Sequence, residues 1–178
     1  MSNLLITPQG ILSFPHLYVA RPPVRGAEPR FSCTIIFNAD AQATPEYKAL
    51  KDAAHAVAVA EFGEAKLKDK NFMRKFRSPF RDASEKSYEG YDEGSVFISP
   101  WTKKRPGVVD ARLQDITVPD DVWAGQLVRA DVNPFAYSQS GNYGVSFAWR
   151  DGHDTGIYTF RYLRALCPCA ECGGEKRL

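Results

Sequence analysis

No window of this 178-residue chain approaches the roughly 18 consecutive apolar residues that a membrane helix needs. The first residues, Met-Ser-Asn-Leu-Leu-Ile, lack the basic stretch and apolar run of a secretion signal, so a cytosolic chain is expected. Cysteine is scarce, with four in all, and in that compartment the thiols stay reduced. A surplus of charge is also missing. Lys and Arg outnumber Asp and Glu by 23 to 21, so attraction to a polyanion has to come from local clustering rather than total charge. What remains is 44% hydrophobic and 25% charged, the composition of an ordinary globular domain long enough to bury a core.

Residues 10 to 20 are rich in aromatic and β-favouring types and read as a strand. Pro15 cannot donate to a ladder, so it marks an edge or a bulge, with His16 beside it. Three prolines and a glycine between Arg21 and Pro29 make a loop. From Arg30 to Asn38 the pattern alternates, with Phe31, Cys33, Ile35 and Phe37 on one face and Ser32 and Thr34 on the other. This predicts a half-buried strand, with Cys33 a core residue. A helix then begins at Thr44 as N-cap, with Pro45 in the first turn, and stops at Gly63. Tyr47, Leu50, Ala54, Val57, Ala58 and Phe62 form its apolar stripe, and His55 is a boundary residue.

Residues 64 to 81 change character. Lys66, Lys68, Lys70, Arg74, Lys75, Arg77 and Arg81 interleave with Phe72, Met73, Phe76 and Phe80. Interleaved cations and rings suit a groove for a single nucleic-acid strand, where phosphates and bases are both contacted. They equally suit a surface loop whose phenylalanines tuck under the domain. The next segment reverses sign, with Asp82, Glu85, Glu89, Asp92 and Glu93 within twelve residues. Such a cluster could hold a divalent cation as nucleases do, or be a solvated acidic loop. Tyr88 and Tyr91 flank Gly90 as mobile aromatics.

A short strand from Val96 to Ser99 runs into Pro100 and Trp101, followed by Lys103, Lys104, Arg105 and a Pro106-Gly107 turn. A ring beside a cationic tip fits a strand with stacked bases, although lysines at a hairpin tip also keep an edge soluble. After a capped turn near Val118–Trp123, residues 126 to 138 give the longest strand signal. Val128, Ala130, Val132 and Ala136 form a small apolar face. Arg129, Asp131, Asn133, Phe135 and Tyr137 form a polar face that carries two rings, as expected if that face meets bases. After a turn through Gly141 and Asn142, the return strand places Tyr143, Val145, Phe147 and Trp149 on one side, by default the core side. A last strand is expected from Gly156 to Leu163. In the tail, Cys169-x-x-Cys172-Gly has zinc-knuckle spacing, for which Cys167 could be a third ligand, the alternative being a reduced, mobile appendage. A fourth would have to come from His153 or another chain.

Short strands, one helix after the second of them and a long closing hairpin predict a mainly β fold. It would be an OB-type five-stranded Greek-key barrel with long hairpin extensions, spanning 1–165, with a flexible tail over 166–178. Several ordered motifs carry a resemblance. Arg77-Ser-Pro-Phe-Arg-Asp82, Tyr91 leading to Val96-Phe-Ile-Ser-Pro100, and Arg105-Pro-Gly-Val-Val-Asp110 are three of them. Ala124-Gly125, Asn133-Pro-Phe-Ala-Tyr137, Ser140-Gly-Asn-Tyr-Gly-Val145 and Glu28-Pro29 before the second strand complete the set. Over roughly residues 10 to 150 the chain resembles the DUF2815 family of phage single-stranded DNA-binding proteins. The resemblance implies a non-enzymatic OB-fold protein that coats single-stranded DNA in phage replication, recombination or repair, in the cytoplasm of the host. It implies no required cofactor; zinc at Cys167, Cys169 and Cys172 would be an addition of this chain. Phage replication or recombination proteins and further copies of the chain are the expected partners besides DNA. Beyond Trp149 the family pattern stops. Single-strand binders often end in an acidic tail that recruits partners, whereas this chain ends in cysteines and Glu-Lys-Arg-Leu.

The expected DNA contacts are therefore Lys75, Arg77, Arg81, Lys103, Lys104, Arg105 and Arg129 on phosphates. Trp101, Phe135 and Tyr137 would stack bases, with Tyr88, Tyr91 and Tyr143 as further rings. The rival expectation is a metal-dependent nuclease built on Asp82, Glu85, Glu89 and Asp92.

Overall fold

The computed structural model of the chain describes residues 5–139, 142–149 and 156–159. Two long strands open it, β1 (Gly10–Arg21) and β2 (Arg30–Phe37), paired antiparallel. Pro15 does interrupt their ladder: between Ser13 and His16 the register shifts, so three steps on β1 match two on β2. After α1 (Ala39–Gln42) comes the main helix, α2 (Pro45–Phe62). Thr44 Oγ1 accepts from Tyr47 N–H, and Gly63 ends the helix at φ 80°, a conformation that costs glycine little. Short helices α3 (Glu64–Lys68) and α4 (Lys70–Met73) follow. The small strands β3 (Phe76–Arg77), β4 (Arg81–Asp82), β5 (Val96–Ile98), β6 (Trp101–Thr102) and β7 (Gly107–Val108) come next. The chain closes with β8 (Leu127–Ala130), β9 (Val132–Gln139), β10 (Asn142–Trp149) and β11 (Gly156–Thr159).

The pairing forms a ring. β1 joins β2, β2 joins β5 and β6, β6 joins β10, β10 joins β9, and β8, which runs straight into β9, returns to β1. With β5–β6 counted as one interrupted strand and β8–β9 as another, five strands follow each other in the order 1-2-3-5-4-1. This is the closed Greek-key order of the OB type. The expected barrel, with its one prominent helix after the second strand, is what the chain builds. Closure between β6 and β10 is thin, a parallel contact at Ala148 and Trp101. β3 touches the same edge of β10 at Tyr143 and Gly144. Between those contacts, among the described residues, the Val145–Phe147 edge has no strand partner.

One core fills the barrel interior. Leu12, Leu17, Ile35, Phe37, Val132, Val145 and Phe147 are buried with Tyr47, Leu50, Ala54, Ala58 and Phe62 of α2. The inward row Tyr143, Val145, Phe147 and Trp149 confirms the default reading of β10. Cys33 is 2% exposed, and burial pushes its thiol well above the ordinary range, so it stays protonated. β2 departs from the expected half-burial: Cys33 through Phe37 are buried on both faces. The outer face is covered by a second cluster of Ile36, Ala83, Tyr91 and Phe97, brought there by β4 and the loop after it. This corrects the reading of Tyr91 as a mobile ring. It is 7% exposed, and its hydroxyl hydrogen-bonds with Ser13 Oγ at 3.2 Å.

Candidate nucleic-acid interface

The outer wall of the barrel is left open beyond that second cluster. On β9 and β10 the register fixes which residues face it. Gly144 lies opposite Tyr137, Ser146 opposite Phe135 and Ala148 opposite Asn133. Directly opposed residues share a face, so large rings on β9 stand beside small residues on β10. β6 adds Trp101, whose ring meets Phe135 edge to face at 5.5 Å. Trp101 is also opposite Ser32 of β2, which places Arg30, two residues earlier on β2, on the same side. The Arg30 guanidinium lies 4.5 Å from the Trp101 ring centroid.

The result is a continuous groove in two parts. One cleft of about 520 Å³ is lined by Arg77, Arg81, Phe80, Trp101, Tyr137 and Ser146, among others. A second, of about 560 Å³, carries Glu28, Arg30, Trp101, Lys103, Phe135 and Tyr137, with Pro23 and Pro29 of the β1–β2 loop. Arg30, Trp101, Tyr137 and Ser146 line both. The first cleft opens at the unpartnered Val145–Phe147 edge between β3 and β6. Close approach of β3 depends on Gly144: a Cβ there would sit 2.6 Å from the Arg77 carbonyl oxygen and 2.7 Å from the Tyr137 hydroxyl.

Charge in the groove is partly neutralised. Arg81 is ion-paired with Glu85, its Nε donating at 3.0 Å, and Lys103 Nζ donates to Glu28 at 2.7 Å across exposed surface. Such exposed pairs are weak and exchangeable. Arg30 differs. Burial lowers its pKa, although a guanidinium remains charged, and its Nε is buried with no acceptor among the described residues. A partly buried guanidinium with an unmet donor is a natural phosphate or base partner. The sequence reading missed Arg30. The signal was its place on the Ser32 and Thr34 face of the second strand.

Of the expected contacts, the structure brings together Arg77, Arg81, Trp101, Lys103, Phe135 and Tyr137. Lys75 is exposed in the turn before β3, and Lys104 is exposed at the loop tip. Arg105 turns away and covers Tyr18 at 4.7 Å, whose hydroxyl donates to the Ile116 carbonyl. Arg129 lies elsewhere, paired at 3.4 Å with Glu46 on α2. The reason is Asp131, where β8 gives way to β9 and a buried run from Ala130 to Val132 breaks the alternation. Tyr143 is a correction too, packed inward against Phe72 at 5.1 Å and Phe62 at 6.0 Å. Phe72 is tucked under the domain as the plainer reading of that segment had it, while Phe76 and Phe80 pack against the core and also line the first cleft beside Arg77 and Arg81. Tyr88 is 59% exposed and stands outside both clefts.

The nuclease expectation finds no site. Asp82 is spent on capping: hydrogen bonds from Ser84 hold its carboxyl below the usual range, while Glu85 serves Arg81. Among the described residues no three His, Cys, Asp or Glu side chains converge to hold a metal. Cys167, Cys169 and Cys172 lie outside the described residues, as does the boundary expected at 165. Among the described residues no helix is long and apolar enough to cross a membrane.

Comparison with known proteins places this architecture. The fold is similar to the single-stranded DNA-binding protein of bacteriophage Enc34 in complex with ssDNA, at TM-score 0.67 and 17% identity, over 86% of this chain and 84% of that one. A C-terminal truncation of the same protein matches at TM-score 0.67 and 15% identity, over 86% and 83%. The single-stranded DNA-binding protein gp2.5 of bacteriophage T7 matches at TM-score 0.57 and 11% identity, over 89% and 91%. No curated protein matches the chain. The sequence model built on the ssDNA-binding protein of Enterobacter phage Enc34 matches residues 4–151, nearly the span of the motifs noted above. The chain belongs to the Enc34 family of phage single-stranded DNA-binding proteins, a family of binders rather than enzymes.

Proposed function

We propose that this chain binds single-stranded DNA in the groove around Trp101, largely without sequence preference, and coats it during phage DNA replication, recombination or repair. One observation carries the reading. Four cations and the rings of Trp101, Phe135 and Tyr137 converge on the outer wall of a five-stranded barrel, with Phe80 lining the same groove. OB barrels bind oligonucleotides on the face of strands 2 and 3 and with the loop between strands 1 and 2. Here that face holds Arg30 and Trp101, and that loop supplies Pro23, Glu28 and Pro29 to the groove. Rings and guanidinium planes stack any base, and the cations hold any phosphate, which favours sequence tolerance. Phage replication or recombination proteins are its proposed partners, in the host cytoplasm.

Titration with single-stranded and duplex oligonucleotides at two salt concentrations tests this, followed by tryptophan fluorescence. Single strands should quench the signal more tightly than duplex and weaken with salt. The quench should vanish in Trp101→Phe, because Trp149 is buried and Trp123, 58% exposed, lies outside the groove. Absence of binding at low salt, or a quench unchanged in Trp101→Phe, overturns the reading.

A further inference from the structure

We infer that the DNA track continues past Arg81 onto a second stacking platform made by Phe14 and Tyr88, a proposal that rests on the groove reading above. Phe14 lies in the β1 bulge at φ 47°, a left-handed conformation that costs a non-glycine residue. Bulges re-aim side chains, and Phe14, two residues after the buried Leu12, is 39% exposed. There it meets Tyr88 edge to face at 5.2 Å. An exposed pair of rings held by a strained backbone is an expensive arrangement for mere surface.

Beneath the rings the support is rigid. Lys86 Nζ lies 5.3 Å from the Phe14 ring, 5.1 Å from Tyr91 and 4.5 Å from Phe97. Tyr91 and Phe97 belong to the second core cluster, so the platform is anchored to the barrel. Burial and the neighbouring Arg81 lower the pKa of Lys86. Arg81 in turn covers the same Phe97 ring at 5.2 Å. The shallow cleft of Phe14, Glu85, Lys86, Ser87 and Tyr88 thus adjoins the first cleft, which Arg81 and Glu85 also line.

The cations here, Arg81 and Lys86, are untouched by removing a ring, so what Phe14 and Tyr88 themselves add is stacking rather than phosphate charge. That gives it a signature. Its contribution should depend on strand length and hardly at all on salt, the reverse of the cationic groove.

The experiment compares Tyr88→Ala and Phe14→Asn with the unaltered protein on thymidylate strands from about 4 to about 16 nucleotides, the range of OB site sizes. Asn removes the ring but tolerates the left-handed backbone, and Tyr88 is exposed, so both variants retain the fold. The shortest strands that bind should bind all three proteins equally. Longer strands should bind the variants about tenfold more weakly, with the salt slope unchanged. Equal affinity at every length overturns the platform and leaves the groove standing. An equal loss at all lengths also overturns it as an extension of the track. If the unaltered protein binds no strand of any length, the groove reading itself falls.

Discussion

Tyr137 and Tyr143 sit on paired strands, one residue out of register, and have opposite roles. Tyr137 is opposite Gly144 and faces the groove; Tyr143 is opposite Ser138 and packs against Phe62 and Phe72. The same holds on a larger scale. The chain's cation-and-ring segments divide into an inner set beneath α2 and an outer set around Trp101. Composition is similar on the two sides. What separates them is parity along the barrel wall, together with which stretch of that wall another segment covers.

The difference is sharpest in the largest expected effect. Leu50→Ala, on the inner side at 0% exposure, should cost about 2–5 kcal/mol of stability, read by urea unfolding. Affinity per folded molecule should be retained under conditions where the variant stays folded. On the outer side, Trp101→Ala should lose about 1–3 kcal/mol of binding, roughly 5- to 150-fold, while its unfolding midpoint stays close to the original. If Leu50→Ala lost affinity and Trp101→Ala lost stability, the division would be wrong.

Cations sharpen the comparison by salt. Replacing Arg77, Arg81 and Lys103 with Ala should flatten the slope of log affinity against log salt by about 2, at about 0.7 per phosphate contact. Replacing Arg129, which serves Glu46, should leave that slope unchanged. The smallest effect concerns the carboxylates. Glu28→Gln with Glu85→Gln frees Lys103 and Arg81 for phosphate and should tighten binding roughly two- to fivefold. Looser binding by that double variant would mean that the pairs organise the groove rather than compete with DNA.

Much of the fold could be read in the sequence because its signals are local. Thr44, Pro45 and Gly63 bound the main helix where capping chemistry requires, and Pro15 announced the bulge. Half of the site was equally legible. Trp101, Phe135 and Tyr137 stood out as rings among polar neighbours, and they meet in the groove. What could not be read depended on distant partners. Arg129 shares its parity with Phe135, but the break at Asp131 separates them, and a buried aspartate in a strand gives no notice of a bend. Tyr91 looked mobile beside Gly90 until β4 and β5 carried it over Ile36. Arg30 drew no attention because its value lies in a cross-strand neighbour, Trp101, some seventy residues on.

The barrel's seam has a kinetic consequence. β10 is held on that edge at Tyr143–Gly144 and again at Ala148, with Val145, Ser146 and Phe147 between. Amide hydrogens on that open edge have no strand to shield them, so they should exchange with solvent faster than their buried side chains suggest. A DNA strand lying in the cleft would cover them. Where the wall is least latched is also where the proposed DNA track runs, so opening and occupancy can be read from the same backbone positions without altering a residue.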